Sequence, residues 1–220
     1  MDAIKVTDLF DLTHSRAGRA LSAYTYPWEA LGDIKELVLR IGAQLDPECY
    51  DQPQEQVWIA RSATVYPTAT IIGPCIIGEN TEVRPGAFLR GSILVGDDAV
   101  VGNSSELKNC ILFDGVQVPH YNYVGDSILG YKAHMGAGAI TSNVKGDKKN
   151  VVVHGETEYD TGRKKFGAML GDFAEIGCGS VLNPGAVIGK NASVYPLSSV
   201  RGVVPENHIH KDKDHIIPRR

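Results

Sequence analysis

The chain has 220 residues, 43% of them hydrophobic and 22% charged, with a formal net charge of -4. That length suffices for one sizeable core plus a small appendage, and the charge gives no general electrostatic reason to bind nucleic acid or an anionic membrane. No apolar run approaches the roughly 20 residues of a membrane helix, and "MDAIKVTDLFDLTH" lacks the charged-then-apolar order of a signal peptide, so a soluble, cytoplasmic protein is expected.

Residues 1–57 carry no repeat. Within them Ile34, Leu37, Val38 and Ile41 fall on one helical face, and Asp33 stands where it can cap that helix. This stretch is expected to be a partly helical cap over the end of the repeats.

From Ile59 a period of six begins: Val65, Ile71, Ile77, Val83, Leu89, Val95, Val101, Leu107 and Phe113 are all large and apolar. Four residues after each comes a mostly small one, as at Ala63, Ala69, Cys75, Thr81, Ala87 and Ala99. A helix face recurs near 3.6 residues and a plain strand near 2, so a period of six with one bulky and one small inward position calls for short strands joined by turns, stacked in a parallel β-helix. Gly, Pro, Asn and Asp follow the bulky residue in "VGDDAV" and "LNPGAV", where turns need them.

The rhythm breaks at residues 118–150 and again at 150–169, then resumes at Leu170, Ile176, Leu182, Ile188, Val194 and Val200. The β-helix is expected over 58–205, with about three coils in the first block, one and a half in the middle and two in the last. The 150–169 insertion begins with alternation and reads as a protruding arm, in the form of a hairpin. Residues 206–220 read as a solvated tail, its His208, His210 and His215 being mixed with Lys and Asp. Cys49, Cys75, Cys110 and Cys178 form no CxxC pair; the three inside the repeats read as buried small hydrophobes.

Several motifs recur in a fixed order: "RPGA" from Arg84, "VGN" with Glu106 and Lys108 following, "HYNYVGD" from His120, "GAGAITSN" up to Asn143, and then Lys149. In this the chain resembles, from about Thr81 to Gly202, the acetyltransferase domain of the bifunctional N-acetylglucosamine-1-phosphate uridyltransferase/glucosamine-1-phosphate acetyltransferases and their archaeal sugar-phosphate relatives. The resemblance implies a hexapeptide-repeat, left-handed β-helix fold, a homotrimer with sites between subunits, acetyl-CoA as acyl donor, and an amino sugar phosphate such as glucosamine 1-phosphate as acceptor. The nucleotidyltransferase half, with its glycine-rich nucleotide loop, has no counterpart in these 220 residues.

The chemistry needs a base, because a protonated amine cannot attack a thioester, and histidine suits that task. The motif match places the base at His120 and substrate contacts at Tyr123. Arg84, Lys108 and Lys149 match the basic residues that grip phosphate; singly, each is an ordinary surface charge. Arg84 and Lys108 are 24 residues apart, four hexads, so they share a position in the hexad without sharing a face. His134 stands where the family carries a substrate-binding asparagine, Asn143 matches a residue contacting substrate or coenzyme, and Cys178 replaces a serine near the coenzyme. Near the C-terminus only Lys211 or Lys213 offers a charge for coenzyme phosphate.

No metal site is expected, since His120, His134 and His154 are too scattered for the zinc-dependent carbonic anhydrase-like hydratases that share this type of fold. A non-catalytic sugar-nucleotide-binding or regulatory protein remains the main rival to an acetyltransferase.

Overall fold

The computed structural model describes residues 3–212 and 214–219, leaving Lys213 outside the described residues. Its body is a left-handed parallel β-helix of three faces, in which each short strand pairs with the strand one coil on. The first face stacks Val57–Ala60, Cys75–Ile77, Ile93–Val95, the end of Glu106–Leu112, the end of Tyr123–Leu129, Ala168–Leu170, Ala186–Ile188 and Val203–Val204. The second runs from Thr64–Val65 through Glu82–Val83, Val100–Asn103, Gln117–His120, His134–Met135, Glu175–Ile176 and Ser193–Val194 to His208–Asp212. The third runs from Thr70–Ile72 through Phe88–Arg90, the starts of Glu106–Leu112 and Tyr123–Leu129, Ile140–Thr141 and Val181–Leu182 to Ser199–Val200. Two faces thus hold eight strands each, more coils than the hexad blocks suggested.

The difference lies in the middle. The pairs Val95↔Leu112 and Leu112↔Leu129 are 17 residues apart, whereas Ile77↔Val95 is 18. Leu112, not Phe113, therefore takes the inward position, and the pattern from Leu107 onward is displaced by one residue. Two coils shorten at the corner between the third and first faces, where Asn109 and Asp126 each turn the chain with a single left-handed residue, both at φ 49°. Asn and Asp tolerate that conformation better than other side chains with a Cβ. Glu106–Leu112 and Tyr123–Leu129 consequently run through the corner and join two faces into one 14-stranded sheet.

Residues before the repeats do not sit over the end of the coil, as expected, but along the first face. The reason is an outward column of Ile76, Leu94, Ile111, Ile128, Met169 and Val187, all buried. Left in water, each would forgo about 1.5–3 kcal/mol of transfer free energy. Short helices at Val6–Leu9, Gly18–Leu21 and Ile34–Gly42, with 3-10 turns at Leu12–His14 and Pro27–Gly32, provide the cover. Ile34, Leu37 and Val38 are buried, as their spacing predicted. Asp33 is the helix N-cap by position only, since its carboxylate accepts the Tyr24 hydroxyl at 2.7 Å. Tyr50–Gln54 then pairs antiparallel with Val57–Ala60 and closes that end of the sheet.

The 150–169 insertion does form a hairpin, Val152–His154 against Glu158–Asp160. It folds back onto its own chain instead of protruding: Tyr159 meets the rings of Tyr26 and Trp28, Phe166 packs on Trp28, and the Arg163 guanidinium donates to the Glu29 carbonyl. The tail is not simply solvated either, because His208–Asp212 extends the second face and is covered by His215–Pro218. Among the described residues no helix is long and apolar enough to cross a membrane.

Candidate active site

With the first face covered, the second and third are left open, and six of the eight predicted site residues border the third or stand on it. Arg84, His120 and Cys178 lie at the corner where the second face turns into it. Tyr123 points outward near its middle, and Lys108 and Asn143 lie at its far corner. His134 is on the second face and Lys149 on an exposed loop beyond Asn143. One chain does not bring Arg84 and Lys108 together: they occupy opposite edges of the open face, and Arg84 is already engaged by Glu82 at 2.9 Å.

His120 ends the strand Gln117–His120 and is exposed, with no ring hydrogen bond among the described residues, so both imidazole nitrogens are available. The backbone around it is held firmly. Tyr121 turns the corner at φ 52°, and Asn122 fills an inward position that alanine or serine takes in neighbouring coils. The Asn122 amide donates to the carbonyls of Gly136 and Ala139, its Oδ1 accepts the His120 N–H at 3.0 Å, and its own N–H is accepted by Ser105 Oγ. A buried polar group with all these partners fixes one conformation, and here it fixes where the imidazole begins.

Tyr123 follows directly on the open face. Burial, reinforced by the Asp126 and Glu106 carboxylates, pushes its phenol pKa up. Asn143 Nδ2 donates to Tyr123 Oη at 3.3 Å and to Asp126 Oδ2 at 2.5 Å. Asn109 Nδ2 donates to the other oxygen, Asp126 Oδ1, at 2.9 Å, and also to the Leu31 carbonyl of the covering segment. Asp126 is buried to 5% exposure, so this ladder of Asn109, Asp126 and Asn143 holds its carboxylate by donors on both sides. Tyr123 keeps its proton at neutral pH and can donate it to a ligand oxygen. Arg90, paired with Glu106 across the adjacent coil, borders the same patch.

The sequence marked neither Asn109 nor Arg90, and Asn122 and Asp126 stood within "HYNYVGD" without an assigned role. A signal existed for the ladder: 109, 126 and 143 are separated by 17 each, the length of the short coils. Arg201 was also missed; with Ser142, Lys145, Asp147 and Asn183 it lines a 480 Å³ depression beside Asn143.

On the second face His134 Nδ1 lies 2.8 Å from Glu175 Oε2. Next to this pair a 240 Å³ furrow is lined by Gly136, Ile176, Gly177, Cys178, Val194 and Pro196. A Cβ on Gly136 would come within 2.7 Å of the Cys178 nitrogen, so that glycine is required for the coils to approach there. Of the repeat cysteines, Cys75 and Cys110 are buried, which drives both thiol pKa values up, whereas Cys178 is exposed. Among the described residues no three His, Cys, Asp or Glu side chains converge as a metal site.

Comparison with known proteins fits this architecture. The family described as the GMPPB C-terminal domain matches residues 71–158. The bifunctional protein GlmU of Methanococcus vannielii is 32% identical over 139 residues, 63% of this chain and 34% of that protein. GlmU of Methanococcus aeolicus is 33% identical over 165 residues, 67% of this chain and 40% of that protein. A bifunctional sugar-1-phosphate nucleotidylyltransferase/acetyltransferase of Sulfurisphaera tokodaii is 33% identical over 113 residues, covering 51% and 28%. The chain therefore spans 28 to 40% of the length of these curated relatives. Among solved structures, a point mutant of AntD, an N-acyltransferase from Bacillus cereus, aligns over 75% of this chain and 82% of its own with 16% identity and a TM-score of 0.39.

The chain is thus a hexapeptide-repeat protein of the left-handed β-helix class. Its sequence is similar to part of the bifunctional protein GlmU of Methanococcus species.

Proposed function

We propose that the chain is an acetyl-CoA-dependent N-acetyltransferase acting on an amino sugar phosphate, with glucosamine 1-phosphate the first acceptor to test. One observation carries this reading: an exposed, unengaged histidine stands on a braced corner, three residues from a tyrosine whose phenol stays protonated and is held by Asn143, along a face that the chain leaves open.

In the proposed reaction His120 takes a proton from the acceptor ammonium, and the freed amine attacks the thioester carbonyl. The tetrahedral intermediate loses its second nitrogen proton to solvent and expels coenzyme A as its thiolate, which takes the proton held by His120 as the amide forms. Tyr123 and Asn143 orient the acceptor. The shallow furrow beside Cys178, bordered by Gly136, Gly177 and Pro196, offers backbone groups to an extended chain such as the pantetheine arm of the donor. Because Arg84, Lys108 and Lys149 do not converge within one chain, a phosphate grip built from them requires a second copy, in keeping with a homotrimer that sets the open face of one subunit against its neighbour.

Thiol release from acetyl-CoA in the presence of glucosamine 1-phosphate tests the proposal. The wild type is expected to release thiol only with the amine present, and His120→Ala to lose release while keeping its circular dichroism and its mass by light scattering. Undiminished turnover in His120→Ala overturns the assignment of the base; no release by the wild type with any amino sugar phosphate overturns the activity.

A further inference from the structure

Away from the open face, the segment that covers the first face forms a cleft of its own. Arg16, Arg19, Ala20, Arg40, Ile41 and Gln44 line a space of 370 Å³ between the short helix Gly18–Leu21 and the helix Ile34–Gly42. Three guanidinium groups around one cleft are unexpected in a chain of net charge -4, and no carboxylate lines it.

Arg16 is a fixed member. It donates to Asp97 at 2.6 Å and Glu79 at 3.1 Å, and its guanidinium lies 5.5 Å from the centre of the Tyr50 ring. Those two carboxylates neutralise it and hold it in place. Arg19 and Arg40 have no such partners: among the described residues neither has a carboxylate within ion-pair distance. Two uncompensated like charges on one small cleft repel one another, and an anion between them removes that repulsion. Behind Arg16 the Tyr50 hydroxyl is buried, outside the cleft lining.

We infer that this cleft is a second ligand site, separate from the open face, that takes a diphosphate group, either as inorganic pyrophosphate or as part of a nucleoside diphosphate. Guanidinium forks match the geometry of phosphate oxygens, a diphosphate has the span to meet Arg19 and Arg40 together, and Ile41 with Ala20 offers an apolar wall beside the Gln44 amide for the remainder of an esterified ligand. Occupation bridges the two helices over the early coils and so tightens the covering segment.

Isothermal titration with inorganic pyrophosphate and with ADP, at near-physiological salt and with adenosine as uncharged control, tests the inference. The wild type is expected to bind both diphosphates but not adenosine. The double variant Arg19→Ala/Arg40→Ala, whose side chains are exposed and carry no packing, is expected to bind at least about tenfold more weakly. The charge-keeping Arg19→Lys/Arg40→Lys variant is expected to fall between them, and His120→Ala to bind as the wild type does, so the outcome is independent of the acetyltransferase proposal. Equal affinity for pyrophosphate and ADP assigns recognition to the diphosphate alone, and tighter ADP adds the apolar wall to the site. Absence of binding to either probe at millimolar concentration overturns the inference, as does unchanged affinity in the alanine double variant with its fold intact.

Discussion

The first and third faces are built from the same coils and the same kind of inward residue, yet they have opposite fates. On the first, the outward residue beside each large inward one is apolar, giving the doublets Ile76-Ile77, Leu94-Val95, Ile111-Leu112, Ile128-Leu129, Met169-Leu170 and Val187-Ile188. On the third the same column reads Thr70, Phe88, Glu106, Tyr123, Ile140, Val181 and Ser199, none of them buried. A β-helix can bury only its interior by itself, so whatever stands outward decides which face must be covered and which is left free for chemistry. The covered face gains stability from its own chain, and the open face carries Tyr123 and Asn143, with His120 at its corner.

That contrast sets an order of expected effects. Trp28→Ala removes the ring that joins the covering segment to the inserted hairpin, and is expected to cost about 3–5 kcal/mol in urea unfolding. Ile111→Ala, on the covered column, is expected to cost about 2–5 kcal/mol at any protein concentration. Phe88→Ala, on the open column, is expected to cost under about 1 kcal/mol in dilute protein, where half-burial limits the transfer term, and more only where copies associate. Equal losses at both positions, each independent of concentration, would break the comparison.

Asp126→Ala leaves the amides of Asn109 and Asn143 without their shared acceptor. About 1–3 kcal/mol of stability should go with it, together with the orientation of Tyr123, so that KM for the acceptor rises more than kcat falls. A variant with unaltered stability would show that the ladder is ornamental.

The smallest effect concerns the last coil. Burial holds the His210 pKa below its ordinary value of 6.5, so the unfolded chain binds its proton more tightly than the folded one. Stability should therefore fall as pH drops from about 6.5 through the lower folded pKa, and be unaffected by this group well above 6.5. His210→Gln is expected to flatten thermal denaturation in that window, and an unchanged pH profile would contradict the burial.

Much of this was legible in the sequence. The period of six marked the β-helix because each coil repeats the same kind of inward pair, and the 150–169 insertion marked itself by interrupting that period. The displaced register after Leu107 was not legible from a fixed step of six, since Phe113 is itself large, apolar and buried, where it packs against Phe10 at 5.1 Å. Nor was the docking of residues 1–57 along the side. Its signal was the column of outward apolar residues, which the inward positions alone do not reveal. Likewise the motif order pointed to His120, Tyr123 and Asn143, while Asn122 and Asp126, which brace them, became visible only once neighbouring coils were stacked. The role of Arg163 was equally hidden: a tertiary hydrogen bond to the Glu29 carbonyl engages it within the chain.

His120 and Arg163 together give the most direct test of the division between faces. Substrate-dependent thiol release should be measured side by side for the wild type, for His120→Ala on the open face and for Arg163→Ala on the covered side. Loss of release in His120→Ala, with Arg163→Ala retaining it, is the expected result. Release that survives His120→Ala but disappears in a folded Arg163→Ala would place the chemistry on the wrong face and contradict the account.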